Sequence, residues 1–522
     1  MNRNRLARVI MVQGTSSHAG KSLFVTALCR IFRQDGFRTA PFKAQNMSLN
    51  SCPTPDGLEI GRSQATQAAA AGIPARVEMN PVLLKPETEG RTQVVVMGRP
   101  VSTAATDSHQ PRGPQLWNVV VRALDRLRRE FDIVVIEGAG SPVELNIKER
   151  DIANMRVARH ADAPVLLVGD IDLGGVFAQM VGTLALLEPA EHRLVKGLVV
   201  NKFRGDLAQF ETGVDLLEAH TGVPVTGVLP FLSDVRLPEE DGVGLPSAGL
   251  GDSRSVLDVA VMRVPHIANF DDFDPLGREP GVRVRFVGSA AEFGEPDLLI
   301  LPGSKTTVAD LDWLRVQGLA ERIRTARSSG TAVIGICAGF QMLGIRLLDP
   351  DGVESRIREA EGLGLVSTTT TFLPEKKTHQ VTAVVETGRG LLAGCSGMRI
   401  SGYESHKGDT TGDLEACPIS VRTRSGRPVH LLDGRLDEDG LTLGTYLHGL
   451  FHNHDLRRRL LENLARRKGV TLPDGLREFD PDYEYDRLAV HVRRHLDMDL
   501  VYRMMEDRRP APGPAHADRA EA

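Results

Sequence analysis

Short apolar runs, each ended by a glycine or a polar strand-end residue and each followed by a helix-compatible stretch, recur along the chain and constrain its fold most. Residues 8–13, 131–140, 163–170 and 195–200 take this form in the first half, and 257–262, 282–287, 296–304 and 332–336 in the second. Strands that are apolar throughout and separated by helices build parallel sheets covered on both faces. A chain of 522 residues is too long for one core. The pattern therefore predicts an α/β protein of two doubly wound domains, over 1–241 and 256–455. Residues 242–255, rich in Gly, Ser, Pro and Asp without periodicity, read as a linker. Helices are expected over 456–507 and a disordered tail over 508–522.

Two of the turns that follow these runs carry chemistry. The first is Gly14-Thr-Ser-Ser-His-Ala-Gly-Lys-Ser22, which precedes a helical apolar pattern over 23–33. Strand, glycine loop, Lys-Ser and helix are the setting of a phosphate-binding loop. Amides from Gly14 and Thr15 to Gly20 would hold phosphate oxygens, Lys21 would reach the outer phosphates, and the Ser22 hydroxyl would ligate Mg²⁺. The spacing departs from the standard loop, since five residues rather than four separate Gly14 from Gly20. An ordinary strand–helix turn holding Gly-Lys-Ser is the plainer alternative. Ligands of doubly wound sheets sit at the carboxyl ends of strands, where Gly14, Glu137, Asp170 and Asn201 fall. Glu137 suits Mg²⁺ binding opposite Ser22, whereas Asp170 reads equally as a helix cap. Lys43, after a second short strand, is placed to approach a γ-phosphate or a substrate. Lys85 lies beside prolines that fix its backbone, with a solvent-facing lysine as the alternative.

The second turn is Gly335-Ile-Cys-Ala-Gly339, a strand-to-helix elbow with Cys337 at its apex. Glycine two positions away on each side lets the backbone pass close to its neighbours, as in a nucleophile elbow. A thiol at a helix N-terminus is favoured as thiolate, while a buried structural cysteine is the commoner fate of a lone Cys. The elbow needs a base. Of 15 histidines, His406, His448, His452 and His454 lie late in glycine-rich or polar contexts. His448 alone ends a strand with a glycine directly after, as a Cys–His pair requires. The Pro-Gly-Ser turn at Gly303 would give one N–H to an oxyanion and Ala338 the other.

Composition narrows the partners. A net charge of −5 over this length argues against a nucleic-acid or membrane-surface binder. No apolar stretch approaches the roughly 20 residues of a membrane span. Five widely spaced cysteines form neither a metal pattern nor a disulfide framework, so a reducing cytoplasm is expected.

The loop Gly14–Ser22 resembles that of dethiobiotin synthetase and its relatives, which share the longer Gly-Thr-x(4)-Gly-Lys-(Ser/Thr) form and activate a carboxyl group with ATP. The resemblance implies a strand-end Glu on Mg²⁺, matched by Glu137, an Asn reading adenine, matched by Asn201, and a second acidic Mg²⁺ ligand, loosely matched by Glu59. Elbow, oxyanion turn and late histidine are similar to the class I glutamine amidotransferase domain, which releases ammonia from glutamine to a partner domain. That family commonly carries a Glu two residues after the His; here that position is Leu450, and the third member of the site is left open. The branch lacking it contains the cobyrinic and cobyric acid amidating enzymes, with both domains in one chain. Gln45-Asn-Met-Ser-Leu-Asn50 (with Asn46 a substrate or phosphate candidate), Met79-Asn-Pro-Val-Leu-Leu-Lys-Pro86, Asp170-Ile-Asp-Leu-Gly-Gly-Val-Phe177, Asn201-Lys-Phe-Arg-Gly205, Pro265-His-Ile-Ala-Asn-Phe270, Gly402-Tyr-Glu-Ser-His406 and Gly444-Thr-Tyr-Leu-His-Gly-Leu-Phe451 resemble the cobyric acid synthase family. Ser405-His406-Lys407 departs from it, where that family has apolar residues on either side of the His.

The resemblance implies an amide ligase using ATP, Mg²⁺ and L-glutamine. Its expected corrinoid substrate is adenosylcobyrinic acid a,c-diamide, amidated at carboxylates b, d, e and g to adenosylcobyric acid. The sister enzyme acting on carboxylates a and c, a cell-wall amidating enzyme and a non-enzymatic nucleotide switch are the rivals. The oligomeric state is left open.

Overall fold

The computed structural model describes residues 6–87, 91–105, 113–232, 237, 255–412, 417–475 and 480–506. The expected linker, apart from Ser255, and the expected tail lie outside them. The first half is built on a six-stranded sheet in the order Val225–Pro230, Val195–Phe203, Val165–Asp170, Arg8–Gly14, Ile133–Glu137, Thr39–Phe42, every neighbouring pair parallel. The alternation of strand side chains shows why these strands are apolar throughout. Val9 and Met11 enter one core with Val120, Leu124 and Leu127, while Ile10 and Val12 enter another with Phe24, Leu28 and Phe32. Helices cover both faces, so neither alternate position meets water.

The second half repeats the scheme. Its sheet runs Val282–Val287, Leu257–Met262, Leu298–Leu301, Ala332–Ile336, Thr442–Thr445, Arg435–Leu436, parallel except for the last pair. The doubly wound expectation holds in both halves.

Other features lie beyond it, among them a four-stranded sheet in the first half. In the second half a further six-stranded sheet is dominated by the hairpin Thr368–Val385 with Arg399–Gly412. Its first strand is Thr-rich and half-buried, so it lacks the continuous apolar run that marks the parallel strands. The β-branched threonines are its main local signal. Residues 456–507, expected as a unit of helices, divide between the two halves. The helix His454–Lys468 buries Leu456, Leu460, Leu461 and Leu464 in the second core. The helices Pro481–His495 and Met498–Glu506 instead return to the first half, where Leu488, Val492 and Val501 join the core of Phe24 and Leu28. Full burial of each such side chain contributes about 1.5–3 kcal/mol. Arg30 fixes the return with hydrogen-bonded ion pairs to Asp482 and Asp486, both 2.7 Å. Among the described residues, no helix is long and apolar enough to cross a membrane.

Candidate active site

Cys337 stands at the end of the strand Ala332–Ile336 with φ 53° and ψ −108°, a conformation that side-chain-bearing residues adopt only when the surroundings impose it. The flanking glycines are what permit this. A Cβ on Gly339 would overlap the Leu301 carbonyl, and one on Gly335 would come within 2.7 Å of the Gly339 backbone. The elbow is therefore pressed against both its neighbouring strand and its own helix, Ala338–Leu343, a single short turn-and-a-half of six residues.

His448 is buried beside it, with Gly303 so near that a Cβ there would sit 2.8 Å from the imidazole Cε1. Its Nδ1 lies 2.7 Å from Asp272 Oδ2, and the other Asp272 oxygen accepts the Gly449 N–H at 2.8 Å. Burial alone would push the imidazole pKa down. The Asp272 carboxylate and then the Cys337 sulfur outweigh it and raise the pKa to about 10. Asp272 thus occupies the place left open at Leu450, whose own side chain is packed in the core. Asp272 lies two residues beyond the stretch Pro265–Phe270 singled out above. Its signal in the sequence is a pair of aspartates between two apolar residues, Phe270-Asp-Asp-Phe273, since consecutive carboxylates at core-facing positions require partners. The Tyr403 ring stacks on the imidazole at 5.0 Å and 14°, and the backbones of Tyr403 and His448 exchange hydrogen bonds of 3.1 and 2.8 Å.

A cavity opens from Cys337 and His448, lined by Gly303, Ala338 and Gln341 and also by Lys85 and Gln93 from the first half of the chain. Ser405, His406 and Lys407, where the sequence departs from the resembled pattern, line it too, and the Cys337 thiol points to the Ser405 carbonyl at 3.6 Å. Glu354 is half-buried in the wall, and desolvation of its carboxyl raises it to about 7. Ion pairs across the boundary between the halves include Lys305 with Glu87 at 2.7 Å and Lys376 with Glu59 at 2.8 Å.

The phosphate loop follows the strand Arg8–Gly14. Gly20 caps the helix Lys21–Gln34 with φ 95°, and a Cβ there would overlap the Asn201 amide. Lys21 Nζ donates to the carbonyls of Ser16 (2.8 Å) and Gly140 (3.1 Å), and Thr15 Oγ1 donates to Gln179 at 2.9 Å. Ser22 Oγ donates to Glu137 at 2.8 Å, Lys43 Nζ reaches the same oxygen at 2.9 Å, and Gln67 Nε2 holds the other at 2.5 Å. A hydroxyl and a fully buried carboxylate facing each other across a phosphate loop fit Mg²⁺, which takes one or two protein oxygens and completes its shell with water and phosphate.

Other expected residues stand elsewhere. Glu59, expected on Mg²⁺, does not join Ser22 and Glu137. Its carboxylate is bound by Lys85, Lys376 and Ser51, and these cations hold it below the usual range against its burial. Two ammonium groups already satisfy that carboxylate, so it is a poor metal ligand. Lys85, expected near substrate or phosphate, lies in the Cys337 cavity, where burial lowers it to about 8 despite Glu59. Asn201, expected to read adenine, donates its amide to the Ala19 carbonyl at 2.9 Å and braces the loop. Asp170 accepts from Lys202 at 2.7 Å and from the Asp172 N–H at 2.9 Å, closing a turn; the helix that follows, Val176–Leu186, is capped by Gly175 instead. Asn46 donates to Gln64 at 3.1 Å.

Taken together, a strained cysteine with a histidine–aspartate pair and a phosphate loop on a second parallel sheet define a glutamine amidotransferase domain joined to a nucleotide-binding domain. Family models agree: residues 258–456 match the CobB/CobQ-like glutamine amidotransferase domain, and 10–244 the CobQ/CobB/MinD/ParA nucleotide binding domain. Cobyric acid synthases from Dehalococcoides mccartyi strain CBDB1 (47% identical, 96% of this chain and 99% of the relative), Moorella thermoacetica (48%, 98% and 100%) and Sorangium cellulosum (49%, 96% and 99%) are similar along almost their whole lengths. The chain belongs to the cobyric acid synthase family.

Proposed function

We propose that the protein amidates corrinoid carboxylates b, d, e and g of adenosylcobyrinic acid a,c-diamide, giving adenosylcobyric acid at the expense of glutamine and ATP. Similarity to cobyric acid synthases along the chain supports the substrate, and the coupling of the two halves is carried by the cavity, which opens on Cys337 and His448 yet takes part of its wall, Lys85 and Gln93, from the nucleotide-binding half. Ammonia released at the cysteine is thereby delivered toward the half that holds the phosphate loop.

In the glutaminase half, Cys337 Sγ attacks the glutamine side-chain carbonyl carbon. Gly303 and Ala338 N–H groups receive the oxyanion. The His448 imidazolium, kept protonated by Asp272, gives its proton to the leaving nitrogen, and ammonia departs. Water then attacks the thioester with His448 as base, releasing glutamate and the thiol. In the other half, a substrate carboxylate oxygen attacks the ATP γ-phosphorus and ADP leaves. Ammonia attacks the resulting acyl phosphate at carbon and phosphate leaves, giving the carboxamide. Lys21 and Lys43 stand where charge develops on the transferred phosphoryl group. Ser22 and Glu137 would hold Mg²⁺, whose contribution is to neutralise phosphate charge. A carboxylate is a poor electrophile because its oxygen leaves poorly, which is why the nucleotide site is needed.

The test supplies glutamine and Mg-ATP with either cobyrinic acid or its a,c-diamide and follows products by mass. Four successive amide increments on the a,c-diamide are expected. Two increments on cobyrinic acid and none on the a,c-diamide would overturn the reading in favour of the sister activity.

A further inference from the structure

The turn that carries Asp272 is held from the other half of the molecule. The Asn269 N–H donates to Asn50 Oδ1 at 2.7 Å, and the Ser51 N–H donates to Asn269 Oδ1 at 3.1 Å. Asn269 itself is left-handed, at φ 54°. Two residues on, Asp271 forms an ion pair with Arg62, the first residue of the helix Arg62–Ala70 in the nucleotide-binding half. The Asp271 side chain is 1% exposed and that of Arg62 18%. The same guanidinium lies over the Tyr403 ring at 5.6 Å, and that ring covers the imidazole of His448. Arg62 therefore reaches His448 by two routes, through the carboxylate next to Asp272 and through the ring on the imidazole face.

We propose that Arg62 is a positioning residue for glutamine hydrolysis, contributed across the domain boundary. The inference rests on the glutaminase reading of Cys337 and His448. Asp271 and Asp272 are adjacent, buried and both acidic. Without a cation, one of them takes up a proton or turns away, because two buried carboxylates at that spacing repel. Arg62 neutralises Asp271 and leaves Asp272 charged and aimed at Nδ1. Glutamine hydrolysis is thus complete only when the nucleotide-binding half is docked, and the Asn50–Arg62 segment is the piece that docks. Glu59, three residues before Arg62, is fastened to Lys376 on the other side of the same boundary, which keeps the segment in place.

The experiment measures glutamine hydrolysis by the full chain as Arg62→Gln, Arg62→Lys, Asp271→Asn and the double variant Arg62→Gln/Asp271→Asn. Arg62→Gln is expected to lower kcat on the order of tenfold to a hundredfold, the scale of a small displacement of a catalytic group. KM for glutamine should change by less than about twofold, because Arg62 does not line the cavity. Arg62→Lys should recover most of kcat. The double variant should exceed Arg62→Gln, since it removes the carboxylate that needed the cation. Where Arg62→Gln alone does not fold, the comparison of Asp271→Asn with the double variant decides, and equal kcat values for those two are expected. Parent-like kcat in Arg62→Gln, equal loss with Lys and Gln, or a double variant no better than Arg62→Gln would each overturn the proposal. Glutamine hydrolysis persisting in Cys337→Ala would instead sink the glutaminase reading, which no result at Arg62 can do.

Discussion

The phosphate site and the cysteine site solve the same problem, holding one buried carboxylate beside a reactive group, with the carboxylate carried by different kinds of element. At the phosphate loop the carboxylate is Glu137, the last residue of a strand adjacent to the one that leads into the loop. At the elbow the carboxylate is Asp272, which stands outside the strands of its sheet on a turn secured from the other domain. The first site is the product of one sheet; the second depends on an assembly. A local site should fail only through its own residues, whereas an assembled one should fail through residues far from the chemistry.

Losing the reactive group separates the two sites most sharply. Cys337→Ala is expected to lower glutamine-dependent amidation by about 10³-fold or more, while amidation supported by added ammonium salt continues. Lys21→Ala should lower both by about 10²-fold or more, since the acyl phosphate is needed whatever the ammonia source. Product formation with each nitrogen donor, measured side by side, checks the pair. If Cys337→Ala lost ammonium-supported activity as well, the two sites could not be separate steps.

Asp272→Asn comes next. The amide keeps the shape and removes the charge, and glutamine hydrolysis should fall about 10²- to 10⁴-fold, as when a triad carboxylate is neutralised. The sign of the pH effect follows from His448. Its pKa is raised to about 10, so the proton-donating form persists well above neutrality in the parent. Without the carboxylate the alkaline limb of kcat/KM should shift to lower pH. The same raised pKa stabilises the folded chain fully below the ordinary imidazole pKa of about 6.5, and that contribution fades as pH climbs through about 10. A pH–rate profile with an unmoved alkaline limb would remove Asp272 from the site.

Gly339→Ala tests the backbone beneath the nucleophile. Its methyl would meet the Leu301 carbonyl, a backbone atom that cannot swing aside. A loss of about 1–3 kcal/mol is expected, read as a lower denaturation midpoint of the cysteine-bearing half. No change in that midpoint would mean that the elbow has room the structure does not give it.

How far the sequence discloses each site follows from the same contrast. Residues 14–22 are contiguous, so strand, glycine loop and helix together put Lys21 and Ser22 at the start of the helix; Glu137 meets Ser22 because it ends the adjacent strand. Cys337 is legible because its glycines are needed by the turn, and His448 because a glycine follows it. Asp272 is not legible at its usual spacing from the histidine. A group that reaches its partner through tertiary packing has no fixed distance in sequence. Glu59 and Lys85 are the opposite case: their surroundings come from a distant element, the strand Thr368–Val385, whose Lys376 binds Glu59 at the domain boundary. That strand carries threonines and charged residues and no continuous apolar run, so the sequence does not mark it.

The smallest expected effect concerns Asn201, where the resemblance and the geometry differ. A base-reading asparagine would discriminate adenine from guanine, and its loss would let GTP compete. In the structure its amide nitrogen is spent on the Ala19 carbonyl inside the loop, with Gly20 packed so closely that no side chain fits between them. Asn201→Ala should therefore cost about one ordinary hydrogen bond, roughly 0.5–1.5 kcal/mol. That cost corresponds to a KM for ATP raised about two- to tenfold, with the preference for ATP over GTP unchanged. Steady-state rates with both nucleotides decide. A collapse of that preference would return Asn201 to the base and make the nucleotide site, like the cysteine site, one whose specificity is set by a residue outside its loop.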